Sequence, residues 1–152
     1  MSNQQVVDLM EHVWESIGSL CSPLTEAQWK TATDCPGWSV QDQVSHLVGA
    51  ESGILGNPRP DHTPQDTSYV KNDFGQSNEV EVDFRRSWPG QQVLDEFREL
   101  TGQRLSFLRG LTDEGFATID GDRVTLTRDG LMCVDGLLPR FFEPQFRDVR
   151  YS

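Results

Sequence analysis

Three stretches of this chain space their apolar residues three and four apart, the interval at which side chains return to one face of an α-helix. Val6, Met10, Val13, Trp14, Ile17 and Leu20 form the first and predict an amphipathic helix over about residues 3 to 21. Val40, Val44, Leu47, Val48 and Leu55 form the second. Val93, Phe97, Leu100, Leu108 and Leu111 form the third, over about residues 89 to 111, with Pro89 at its start. A helix with one apolar stripe must bury it against another element, so the expectation is a mainly α chain whose three long helices pack up and down.

The punctuation between these stretches is specific. Pro23 stops the first helix, and Thr25 followed by Gln28 is a capping-box signature that opens a short helical turn carrying Trp29. Pro36-Gly37 then marks a turn, Ser39 is a good N-cap acceptor, and Asp42 three residues on completes a second capping box. The second long helix therefore starts at Val40 and stops near Gly56-Asn57-Pro58.

Residues 57 to 87 are rich in Pro, Asp, Asn, Ser and Thr and read as an unusually long connection. Inside it, Glu79 to Phe84 alternates polar with apolar residues, which taken alone suggests a short strand. The β-branched alternation from Ile119 to Thr127 reads as two short strands around a Gly-containing turn. The tail through Phe141-Phe142-Glu143-Pro144 carries aromatics without a helix period. The expected division is a helical domain over residues 1–112 and a divergent or truncated segment over 113–152.

At 152 residues the chain can bury a core without staples, so a bound metal would serve chemistry rather than folding. Thirteen Lys and Arg against 24 Asp and Glu give a net charge of −11. That charge repels phosphate backbones and anionic lipid, so neither nucleic acid nor a membrane is an expected partner. Cys21, Cys35 and Cys133 are odd in number and widely spaced, which fits a reducing cytoplasm. With no signal-peptide pattern and no long apolar run, the expectation is a soluble cytoplasmic protein, monomer or homodimer. Phosphate-cradling glycine motifs and a G-x-S-x-G elbow are absent.

The stretch Trp38-Ser39-Val40-Gln41-Asp42-Gln43-Val44-Ser45-His46-Leu47 reads W-S-V-x-D-x-x-x-H-L. It resembles the signature of the mycothiol-dependent maleylpyruvate isomerase family within the DinB/YfiT-like superfamily. Leu24 to Trp29, Asn72 to Gly75, Asn78 to Val80 and Val93 to Thr101 extend the resemblance in order along the chain. It implies a DinB-like bundle with His46 as a ligand to a divalent metal, zinc first, with nickel or iron as alternatives. It also implies mycothiol as a cofactor, an electrophilic small-molecule substrate, and isomerase or thiol-transferase chemistry in which a metal-bound thiol loses its proton and attacks. The family continues into a fourth helix bearing further His, Glu or Asp ligands. Here the histidines are His12, His46 and His62, so the usual C-terminal part is expected to be missing and an irregular or short-β tail to replace the fourth helix.

The residues themselves leave alternatives open. His46 lies off the apolar stripe, with Asp42, Gly49 and Gly53, and serves as a ligand, as a hydrogen-bonded interhelical histidine or as an exposed residue. Asp42, one turn earlier, is a second ligand, the acceptor that orients the ring, or simply a first-turn aspartate. Glu51 falls on the apolar stripe, an awkward place for a carboxylate unless it pairs or ligates, and projects about 140° from His46, too far for joint chelation. Trp29 and Trp38 read as core anchors, with Trp38 an alternative pocket wall; Cys35 lacks an activating partner; His62 and His12 read as surface residues. The competing function is a non-catalytic or degenerate bundle domain, without metal, that keeps the scaffold for partner binding, for regulation or for no current role.

Overall fold

The computed structural model describes residues 3–120 and 123–133, with the side chains of 5–118 and 123–133. Five helices lead the chain: α1 (Asn3–Cys21), α2 (Glu26–Trp29), α3 (Val40–Ile54), α4 (Asp73–Arg85) and α5 (Gly90–Asp113). A hairpin of β1 (Ala117–Asp120) and β2 (Arg123–Leu126) follows, then the short α6 (Arg128–Met132). This is a mainly α, DinB-like helix bundle with a short β tail, and the three long helices stand where the apolar spacing puts them.

Helix α3 is the hub, packing along both α4 and α5, while α1 lies along α5. Val44 and Val48 of α3 join Val93, Leu94, Phe97 and Leu100 of α5, with Cys21 and Trp29, in the main core. Val6 and Val7 of α1 meet Leu105 and Leu108 of α5 in a second cluster at the other end. Trp29 is wholly buried over Gly90, where a Cβ would collide with its ring. The two-strand antiparallel sheet pairs Ala117 with Leu126 and Thr118 with Thr125, and Ala117 packs on Leu111.

The reading of residues 57–87 as one long connection, with a strand suggested at 79–84, is corrected by α4. Asn72 caps this helix by accepting the Gly75 N–H at 2.8 Å, and Asp73 and Arg85 stand at its two ends with the signs that suit the helix dipole. Its buried positions are Glu79, Val82 and Arg85, spaced three apart. Two of the three are charged, so the buried face carries no apolar period to read. Arg85 makes that burial affordable by forking onto Glu96 of α5 at 2.7 and 2.8 Å and bonding Glu81 at 3.0 Å. The last carbonyls of the α4 segment are met from outside. Gln41 donates to Arg85 O at 2.7 Å, and Lys30 Nζ donates to Arg86 O and Trp88 O.

The aromatic tail from residue 134 onward lies outside the described residues. Among the described residues no helix is long and apolar enough to cross a membrane.

Candidate functional site

The start of α3 is built as its residues dictate. Ser39 accepts the Asp42 N–H, and Asp42 Oδ2 accepts the Ser39 N–H at 2.7 Å and its hydroxyl at 2.9 Å. Gly37 sits at φ 79°, a conformation the turn needs, with the Tyr69 ring packed where a Cβ would project. Trp38 follows, half-buried, its indole N–H donating to Glu79 Oε2 of α4 at 2.9 Å. Its ring lies 5.4 Å from that of His46, tilted by 43°.

His46 is half-buried, and loss of hydration holds its imidazole below the usual histidine range, so it favours the neutral form. Among the described residues no hydrogen bond or ion pair reaches its ring. Asp42 does not serve it. That carboxylate is engaged by Ser39 and by Arg86 Nε at 3.3 Å, so of the alternatives open for Asp42 the structure shows the first-turn capping aspartate and not a partner of the His46 ring.

Arg86, which follows α4, gathers a buried cluster that sequence reasoning missed. Its guanidinium meets Glu79 at 2.7 Å, Asp83 at 2.7 Å, Asp42 at 3.3 Å and the Tyr69 hydroxyl at 2.9 Å. Burial alone would lower its pKa, but the Tyr69 hydroxyl and these carboxylates raise it above the ordinary arginine value. Tyr69, desolvated and donating to Glu79 Oε1 at 2.6 Å, is pushed up to about 12. His62 is not a free surface residue, because its Nε2 lies 2.7 Å from Asp83 Oδ2 and ties the 55–72 loop to α4. Burial of Asp83 works against ionisation, yet His62, Arg86 and the Gln65 N–H together hold it below the usual carboxylate range. Glu79, Asp83 and Arg86 are spaced i, i+4, i+7, so the motif was readable once a helix was recognised there.

Glu51 lies opposite Arg104 of α5 at 4.0 Å, so it pairs loosely rather than ligating. Burial pushes its carboxyl up, and Arg104 only partly counters this. Cys35 is exposed beside the turn, and Cys21 is buried with its thiol pushed up by desolvation, against a smaller opposing pull from Arg98.

The family model for the mycothiol maleylpyruvate isomerase N-terminal domain matches residues 10–130. This chain belongs to that family. No curated protein and no solved structure gives a significant match. The family implies a metal, and the donor set tests that directly. Among the described residues of this family member, no three His, Cys, Asp or Glu side chains come together as a metal site would require. Among the described residues His46 has no second ligand beside it, and the buried carboxylates Asp42, Glu79 and Asp83 are held by Arg86. The described residues by themselves do not form a complete metal centre.

Proposed function

We propose that this member of the family binds a divalent metal through His46, zinc first with nickel or iron as alternatives. Its partners in this reading are mycothiol or a similar small thiol and an electrophilic small molecule, in isomerase or transferase chemistry. One observation supports it: His46 closes the Trp38–Leu47 signature with a neutral-favouring imidazole that makes no hydrogen bond or ion pair among the described residues. Neutral imidazole is the form that coordinates metal. Because a catalytic site normally takes three protein ligands, the reading requires further ligands from outside the described residues. The unpaired cysteines support a reducing, cytoplasmic setting.

A non-catalytic bundle domain that binds a partner without metal is the second reading. It is favoured by the commitment of Asp42, Glu79 and Asp83 to one arginine, which makes the corner a structural clasp. Zinc and nickel titration calorimetry on the apo-protein, beside a His46→Ala variant shown by circular dichroism to be helical, separates the two. One tight site per chain that vanishes in the variant is the expected result. A folded wild-type protein that takes up no metal would remove the metal reading and leave the bundle domain.

A further inference from the structure

Between helices α1 and α5 lies an open groove of about 420 Å³, lined by Glu11, Trp14, Glu15, Arg98, Gly102 and Leu105 among others. That size suits a small molecule of amino-acid to dipeptide scale. The groove exists because two glycines leave it unfilled. A Cβ on Gly102 would meet nothing within 4 Å, and one on Gly18 would meet only the flexible Arg98 side chain, at 3.5 Å.

The lining is polar in a directional way. Trp14 and Leu105 supply apolar surface, while acidic and basic groups stand along the groove in sequence. Glu11 is already matched by Arg109 Nη2 at 2.6 Å. Glu15, one turn on, makes no hydrogen bond or ion pair among the described residues. Arg98 stands next, anchored through Nη2 to Gly18 O at 3.3 Å and Ser22 Oγ at 2.5 Å, with Nη1 reaching only a distant Asp95 at 3.8 Å. An unmatched carboxylate on α1 and a guanidinium anchored on the same helix three residues further along, at Gly18, thus line one groove together with Trp14.

We propose that this groove binds a small amino-acid-like zwitterion with an apolar body, its ammonium on Glu15 and the Trp14 face and its carboxylate on Arg98. An ammonium gains from a carboxylate and an aromatic face together, and a guanidinium is the side chain best shaped for a carboxylate. A simple anion would face Glu15, and a simple cation would face Arg98, so the arrangement selects for both charges on one ligand. The site is separate from His46 and does not depend on the metal reading.

The test uses phenylalanine, phenethylamine and 3-phenylpropionate as probes on the full chain, read by the indole N–H resonance of Trp14, assigned with a Trp14→Phe variant. Phenylalanine is expected to shift that resonance saturably and to bind more tightly than either single-charge analogue. Glu15→Gln should weaken phenylalanine and phenethylamine by about tenfold, and Arg98→Met should weaken phenylalanine by a similar factor while sparing phenethylamine. Gly102→Leu, which fills open space and leaves the helix intact, should abolish all binding. No saturable shift with the wild-type protein, or binding indifferent to both charge variants, would overturn the proposal.

Discussion

Replacing Arg86 with methionine removes the single cation that three buried carboxylates share. Glu79, Asp42 and Asp83 have side chains 1%, 5% and 7% exposed, whereas the arginine itself is 27% exposed. Leaving a buried charge without its partner costs about 3–5 kcal/mol. Each carboxylate retains other donors: Glu79 keeps Trp38 and Tyr69, Asp42 keeps Ser39, and Asp83 keeps His62 and the Gln65 N–H. Those donors and the partial exposure of Arg86 place the expected loss at the lower end, about 3 kcal/mol, or roughly 6–12 °C in Tm for a chain of this size. The pH dependence follows from Asp83, whose folded carboxyl is held below the usual range. A depressed carboxyl contributes stability that is present above its unfolded value, about 4, and is lost as pH falls through the lower folded value. Without Arg86 part of that contribution disappears, so the gap between wild type and variant should be widest near neutrality and shrink in acid. Urea denaturation followed by circular dichroism at pH 7 and at about pH 2.5, well below the unfolded carboxylate value, measures it. A neutral-pH loss below 0.5 kcal/mol (about the scatter of ordinary surface changes), or a gap that does not narrow in acid, would refute the clasp.

Gly90→Ala would ordinarily favour a helix, but here its methyl group meets the buried Trp29 ring, so thermal denaturation should show a loss of about 1–3 kcal/mol rather than a gain. Ser39→Ala removes the α3 cap and should cost about 1 kcal/mol in chemical denaturation, with the extra amide exchange confined to the first turn of α3. Arg104→Met leaves Glu51 without its opposing charge. A carboxyl raised by burial contributes stability that is complete below its usual value and lost as pH rises through the raised one, so this variant should regain stability in acid. The double variant Glu51→Met with Arg104→Met should be neutral or more stable than wild type, by up to about 4 kcal/mol, because two incompletely bonded polar groups leave the interior.

The long helices, both capping boxes, the Pro-Gly corner and the hairpin are legible in the residue order. Each depends on local rules: apolar spacing marks a buried face, Ser39 and Thr25 cap whatever helix follows them, and Gly37 permits the turn. His46 was legible as a candidate for the same reason, since an imidazole off the apolar stripe signals itself. What tertiary structure alone decided is how the polar residues are spent. Helix α4 has no apolar period because Glu79 and Arg85 occupy its buried face, and the approach of Glu96, Trp38 and Tyr69 from other elements joins Arg86 and Glu81 in making that burial tolerable. Asp42 sits one turn from His46 in the chain, yet it answers to Arg86, 44 residues away, because packing α4 on α3 brings a guanidinium to it. Backbone preference acts within a few residues and can be read along a line, whereas the partner of a buried charge is set by whichever element packs against it.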